Sequence, residues 1–298
     1  MTTLGVLGGS GVYSIDALRI IAEHDVETPY GRPSAPITEA LLEHPQNPAG
    51  STVTRLFFLA RHGQGHRLAP HQINYRANIC AMKMLGVKQL LSVSAVGSMR
   101  EDIAPGDVVI VDQYIDWTKG RPSTFFDEGV VAHVSLAEPV CEQLHNSALL
   151  AVEAARRVSE QEFEVHHCGT YLCMQGPQFS TRAESQLYRS WGVDVIGMTA
   201  ATEAKLAREA ELPYVTLAFA TDYDCWHTEE DDVSVHSVLA VLRANAELSQ
   251  TIIALLPLYL ENHQKSRATG ALKHAIISHG PHAPEAIRRL EWLVPGLK

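Results

Sequence analysis

Short apolar runs alternate along this chain with longer stretches whose apolar positions recur at helical spacing. Residues 4–7, 56–60, 89–93, 108–111, 170–174, 193–197 and 214–220 have the length and content of strands. Residues 72–85, 138–159, 182–191, 201–210 and 234–256 carry helical periodicity. This alternation predicts an α/β sheet with helices on both faces. No internal repeat or low-complexity segment interrupts it. Residues 43–51 read as a surface hairpin or insertion, and 119–129, with Gly120, Pro122 and Gly129, as a mobile loop. The pattern weakens after Pro257: 262–270 read as a connector, 272–277 as a short apolar element, and the remainder as a tail rich in His and Pro. The expected organisation is one domain, residues 1–260, with a C-terminal extension, 261–298, packing on that domain or on a neighbouring subunit.

The run 214–220 leads into Asp222-Tyr223-Asp224-Cys225-Trp226. In open α/β sheets ligands bind at the carboxyl ends of strands. Alternation along an extended chain would turn Asp222 and Asp224 the same way. Two acids facing one pocket repel, so at least one is expected to hold its proton toward neutral pH and to be able to protonate a leaving group. A solvated turn, or a metal site, is the plainer reading of the same residues.

Composition narrows the partners. The chain has 298 residues, is 46% hydrophobic and carries a formal net charge of −10, with a pI near 5.8. That balance argues against nucleic acid or an anionic membrane; an anionic small substrate held by local cations is compatible with it. Five scattered cysteines, Cys80, Cys141, Cys168, Cys173 and Cys225, have neither zinc-site spacing nor an even count. The opening residues read as a strand rather than a secretory segment, so a reducing cytoplasm is the expected setting. No apolar run approaches the roughly 20 residues that span a bilayer.

Several small donors and cations follow predicted strands. Gly8-Gly9-Ser10-Gly11 can close backbone N–H groups and a hydroxyl on an anion, or form a plain tight turn; Ser14 breaks the dinucleotide-binding spacing. Arg61-His62-Gly63 offers a planar fork and a second donor for phosphate, or two solvated side chains. Ser94-Ala95-Val96-Gly97-Ser98 and Met198-Thr199 repeat the placement of hydroxyls past a strand. In Gln175-Gly176-Pro177-Gln178-Phe179-Ser180-Thr181-Arg182-Ala183-Glu184, Phe179 can stack on a flat base and Ser180 can bond its edge; Ser180 or Thr181 can equally cap the following helix.

Taken together, these motifs resemble those of the trimeric purine nucleoside phosphorylases, along with Asn74-Tyr75-Arg76-Ala77-Asn78, Pro105-Gly106-Asp107 and Gly197-Met198-Thr199. The resemblance runs from Leu4 to about Leu256. It implies a nucleoside phosphorylase-like fold, α/β with a mixed central sheet flanked by helices on both faces. It also implies cleavage of a purine N-glycosidic bond by inorganic phosphate in a homotrimer, with phosphate as cosubstrate and no metal or organic cofactor. Ser180 and Asp222 stand where members acting on 6-oxopurines usually carry Glu and Asn, which places the chain beside the members that cleave 5′-methylthioadenosine.

The resemblance implies roles residue by residue. Asp222 donates to the purine N7, and Asp224 supports it or binds the base edge. Ser10, Arg61, His62, Ser94, Ala95 and Thr199 hold phosphate, with Ser10 and Ser94 replacing the Thr of many members. Phe179 and Ser180 meet the base, and Met198 underlies the ribose. Val235, Val238 and Leu239 line a pocket for the 5′ substituent opposite His133, although their helical spacing also suits a plain core stripe. His236 and the long tail depart from the family pattern. Three other readings stand beside this one. A broader purine nucleoside phosphorylase would act on adenosine or 6-oxopurine nucleosides. Arg61-His62-Gly63 also resembles the histidine phosphatase signature, and a purine sensor on the same fold would bind without turnover.

Overall fold

The computed structural model describes residues 2–9, 15, 18–44, 52–227, 235–260, 266–278 and 282–297. Among them are strands β1 (Thr2–Gly8), β2 (Leu18–His24), β3 (Ile37–His44), β4 (Thr52–Ala60), β5 (Gln89–Ser98), β6 (Val108–Val111), β7 (Gln113–Asp116), β8 (Val165–His166), β9 (Thr170–Cys173), β10 (Val195–Gly197) and β11 (Tyr214–Asp222). The helices are α1 (Tyr75–Met84), α2 (Glu142–Val158), α3 (Arg182–Ser190), α4 (Ala200–Glu209), α5 (Val235–Leu255) and α6 (Pro284–Leu290). The insertion expected at 43–51 lies outside the described residues from position 45 onward, as do 262–265 of the connector.

The strands form one mixed sheet that branches at β5. β2, β3 and β4 are an antiparallel meander. β4, β1 and β5 then run parallel. β5 pairs in parallel with β11 and, through its last residues, antiparallel with β10. β10, β9 and β7 complete one branch, and β11, β6 and β8 the other.

Alternating side chains assign the two faces. Leu4 and Val6 of β1, with Leu56 and Phe58 of β4, pack with Leu144, Ala148 and Val152 of α2 and Leu248 and Ile252 of α5. Leu7, Phe57 and Leu59 face the other way, into a cluster with Ile79 of α1 and Leu206 and Ala207 of α4. Fully burying a Leu or Phe contributes about 1.5–3 kcal/mol, so these two layers fix the sheet. The helices begin where their caps dictate. Asn74 accepts the Ala77 N–H at α1, and Thr181 and Glu184 close a capping box at α3, so the cap is Thr181.

Segment 119–129, expected as a mobile loop, is instead a strap pinned along its length. Arg121 donates to the carbonyls of Met198 and Gln175. Glu209 of α4 accepts from Thr124 Oγ1 and the Phe125 N–H, each at 2.7 Å. Asp127 pairs with Arg76 and with Arg289 of α6. Trp292 sets its ring edge-on to Phe125 and Tyr30, and residues 275–277 lie along 131–133.

Burial without a cationic partner pushes the Glu209 carboxyl up to about 7, against its two hydrogen bonds. With the folded value above the unfolded 4.5, this group favours the fold below that value and loses the contribution as pH rises through 7. The Glu209→Gln protein is therefore expected to lose less stability between about pH 5 and 8, by about 2–4 kcal/mol. Urea unfolding at stepped pH measures this; parallel curves for the two proteins count against it.

Candidate active site

The acid pair sits where β11 ends against β5. A register shift after Ala220 sets Asp222 opposite Gly97. A Cβ on Gly97 would lie 3.0 Å from Asp222 Oδ1 and 3.3 Å from Asp224 Cβ, so glycine gives the carboxylates their room. Simple alternation does not hold. Asp224 begins a 3-10 turn, Asp224–Trp226, with its backbone at φ 50° in the left-handed region. The pair stays joined all the same, because the Asp224 N–H donates to Asp222 Oδ1 at 2.9 Å. Thr221 donates to Asp222 Oδ2 at 2.7 Å. Burial raises the Asp224 carboxyl, opposed by Ser185 Oγ donating to Oδ2 at 2.5 Å. The cause expected from the sequence was mutual repulsion; the cause in the structure is desolvation. Trp226 locks the turn through its indole N–H on the Ser98 carbonyl, with the Arg189 guanidinium over its ring.

The segment expected to read the base is tied to the same turn. Cys225 Sγ donates to the Ser180 carbonyl and Arg182 to the Cys225 carbonyl. Phe179 is 47% exposed.

Of the residues expected to hold phosphate, Thr199 and Ser94 lie near the start of α4, joined through Tyr171. Thr199 is the N-cap of α4, yet its side chain makes no capping bond. Its hydroxyl and the helix N-terminus therefore remain available to an anion. Tyr171 stands between Thr199 and Ser94, 3.3 Å from the Ser94 hydroxyl and accepting the Thr199 N–H at 3.4 Å. The Ser94–Ser98 motif lies within β5 rather than beyond a strand, with Ala95 exposed between buried neighbours. Ser10 lies outside the described residues.

Arg61 differs most from expectation. It is buried, and its planar fork is spent on Glu203 of α4: Nε donates to Oε1 at 2.5 Å and Nη2 to Oε2 at 3.0 Å. Nη2 also meets Ser92 Oγ and the Leu7 carbonyl, and Nη1 the Val93 carbonyl. Of five N–H donors, one Nη1 hydrogen remains among the described residues. Burial alone would lower Arg61; the Glu203 carboxylate more than offsets it and holds the guanidinium above its ordinary value. Arg61 thus offers phosphate a single bond rather than a fork.

His62 also changes role. Its Nδ1 lies 2.8 Å from the Leu68 carbonyl, which can only accept, so Nδ1 carries the proton. Burial lowers the ring to about 4, against that bond. Near pH 7 the ring is neutral and Nε2 is an acceptor, not the expected donor.

The remaining sequence candidates divide. Met198 packs its sulfur against Gly176. His133 is exposed, its N–H on the Ala275 carbonyl, and no hydrogen bond among the described residues joins it to the acid pair or the phosphate donors. The side chains of Val235, Val238, Leu239 and His236 lie outside the described residues. Sequence reasoning missed Glu203, Tyr171, Ser185 and Arg121. Glu203 alone left a trace, as a charge on the apolar face of an Ala-rich helix. Among the described residues no His, Cys, Asp and Glu group suits a metal ion, and no helix is long and apolar enough to cross a membrane.

Residues 3–256 match the phosphorylase superfamily. The chain is 47% identical over 293 residues to an S-methyl-5′-thioadenosine phosphorylase of Geobacter sulfurreducens, covering 98% of this chain and 97% of the relative. Among solved structures it is similar to a methylthioadenosine phosphorylase from an antarctic soil metagenomic library, with 44% identity, 99% of each chain covered and a TM-score of 0.89. A mutant adenosine/methylthioadenosine phosphorylase of Schistosoma mansoni in complex with methylthioadenosine matches at 31% identity. It covers 93% of this chain and 99% of that one, with a TM-score of 0.79.

The buried ion pair makes a stability prediction. Glu203→Ala leaves Arg61 as an unpaired buried charge and is expected to cost about 3–5 kcal/mol. Adding Arg61→Met to it is expected to recover part of that loss. Urea unfolding of the two single variants and the double variant measures the coupling. A Glu203→Ala cost below about 1 kcal/mol would show that the pair does not hold the site.

Proposed function

The chain belongs to the phosphorylase superfamily, and we propose that it cleaves the N-glycosidic bond of 5′-methylthioadenosine with inorganic phosphate, releasing adenine and 5-methylthioribose 1-phosphate. The observation that carries this reading is the Asp222–Asp224 pair at the end of β11, facing a base-reading segment with Ser180 in place of Glu. An acid that donates to adenine N7, beside a carboxylate that accepts from the 6-amino group, suits adenine. A 6-oxopurine would set acceptor against acceptor, at about 1–3 kcal/mol for an unmet buried group.

In this reaction the bond from C1′ to N9 lengthens, the ribosyl group gains oxocarbenium character, and negative charge grows on the base. Asp222, protonated in the loaded site, gives its proton to N7, and adenine leaves neutral. A phosphate oxygen then forms the new bond to C1′. Thr199, Ser94, the Ala95 backbone, Ser10 and the remaining Arg61 N–H hold the phosphate, and a P–OH group meets His62 Nε2. Phe179 covers the base and Met198 supports the ribose. Val235, Val238, Leu239 and His133 enclose the 5′ substituent.

The same reading makes the protein a cytoplasmic homotrimer. Exposed Trp117, Leu187 and Trp191 support a subunit contact, the two indoles already edge to face at 5.1 Å. Residues 1–260 act as one domain, and the extension 261–298 packs on it, as the Arg289 and Trp292 contacts favour.

The test is adenine release from 5′-methylthioadenosine with and without phosphate. Release is expected only with phosphate, and inosine is expected to be a poor substrate. Asp222→Asn is expected to lower kcat/KM for methylthioadenosine by roughly 100-fold or more and to narrow the gap to inosine. Inosine cleavage at a rate comparable to methylthioadenosine by the unaltered protein would overturn the assignment of the base.

A further inference from the structure

The strap 119–129 brings one cation to the carboxyl ends of β9 and β10. Arg121 Nη2 donates to the Gln175 carbonyl and Nη1 to the Met198 carbonyl, both at 2.6 Å. Nη1 also reaches the Tyr75 hydroxyl at 3.1 Å, and the guanidinium carbon stands 5.5 Å from the centre of the Tyr75 ring. Nε is buried and has no partner among the described residues, so the group is placed for the two carbonyls at the expense of its third donor. A second bond joins strap and shelf, from the Lys119 N–H to the Gln175 side chain at 3.0 Å.

Those two carbonyls belong to one shelf. The Met174 N–H donates to the Gly197 carbonyl at 2.8 Å, which holds the two strand ends together. Gly176 takes φ 60°, and a Cβ there would stand 2.5 Å from Met198 Sδ, so the methionine presses directly on its backbone. Both carbonyls point to the same place and need a donor with two prongs at a fixed separation. A planar guanidinium supplies that; an ammonium does not.

We propose that Arg121 is a positioning residue for the ribosyl group: by clamping the Gln175 and Met198 carbonyls it sets the shelf on which the sugar reacts. This rests on the reading that Met198 underlies the ribose. The clamp lies on the nucleoside side of the site, but the Met198 carbonyl it holds belongs to the peptide that carries the Thr199 N–H, itself bonded to the Tyr171 hydroxyl. Its loss therefore acts more strongly on the nucleoside, which faces both clamped carbonyls, than on phosphate, which shares only the Met198–Thr199 peptide with the clamp. A small displacement of a reacting group is enough to cost one to two decades in rate.

The experiment compares Arg121→Met and Arg121→Lys with the unaltered enzyme, reading nucleoside KM, phosphate KM, kcat and Tm. In the methionine variant nucleoside KM is expected to rise and kcat to fall by roughly tenfold each, with a clearly smaller rise in phosphate KM. The lysine variant, with one prong, is expected to recover part of the loss. A folded methionine variant whose nucleoside KM and kcat stay within about twofold, or whose phosphate KM rises in parallel, overturns the proposal. If that variant does not fold, the lysine variant decides by the same split between the two KM values. Titration of methylthioadenosine in the absence of phosphate reads the clamp apart from turnover. Weaker binding by the variants supports the clamp even if the unaltered protein releases no adenine, which would count only against the reaction, and equal binding overturns the clamp.

Discussion

The structure depends on the buried pairing of Arg61 with Glu203. One guanidinium touches the end of β1 at the Leu7 carbonyl, β5 at Ser92 and Val93, and α4 at Glu203. Its own N–H extends the ladder onto the Gly8 carbonyl. Glu203 is joined in turn by the hydroxyls of Ser92 and Tyr214, and Tyr214 by Thr216 and then Tyr114. The network thus links three parallel strands, their covering helix and the branch toward β7. Each member satisfies a group that would otherwise be a buried unmet charge or dipole, so the network is stable only when complete. Burial of the two ions is offset by bonds that also fix the position of the site.

Helix α4 passes that constraint on. Its N-cap is Thr199, Glu203 holds Arg61 one turn later, Lys205 reaches Asp116 at the end of β7 at 2.5 Å, and Glu209 holds the strap that carries Arg121. Phosphate donors, sheet and strap are therefore referenced to one rigid element about 15 Å long. A site built on a helix and on strand ends keeps its geometry better than one built on loops alone. That explains how an irregular segment such as 119–129 can serve a reaction that needs close placement.

Much of this was legible from the chain. The seven strands expected from apolar runs are present, with β5 and β11 longer than expected because Ser94–Ser98 and Asp222 still pair with neighbours. The missed strands have physical reasons. β2 is an edge strand with Ile20 and Ile21 exposed, so it shows no buried face. β3 is Ile-Thr-Glu-Ala-Leu-Leu-Glu-His, a composition that favours helix until β2 and β4 pair with it. α6 was hidden in a tail whose prolines masked its single amphipathic turn pair, although Pro284 occupies the first helical position that tolerates it. In the site, residue types and placement were readable, but partners were not. Nothing local says that the Arg61 fork faces Glu203, 142 positions away, or that His62 donates its Nδ1–H to the Leu68 carbonyl.

Those partners change the electrostatics of the proposed reaction. Arg61 is cancelled by Glu203, and His62 is neutral, so the described part of the phosphate cradle carries little net charge. In the proposed site, hydrogen bonds from Thr199, Ser94 and the helix N-terminus would hold the anion without neutralising it. A cradle with two free cations would bind phosphate more tightly but draw its charge away from C1′. The oxocarbenium character of the transition state is stabilised by negative charge on the incoming phosphate, and a neutral cradle leaves that charge for the sugar. The binding group is then also the stabilising group, which favours the transition state over the ground state. On the opposite side, the proposed proton transfer from Asp222 to N7 cancels the negative charge that would otherwise leave with the base. In the proposed reaction the sugar reacts between a phosphate that keeps its charge and an Asp222 that takes up its proton when the site is loaded, since the bonds it accepts from Thr221 and the Asp224 N–H beforehand favour the carboxylate.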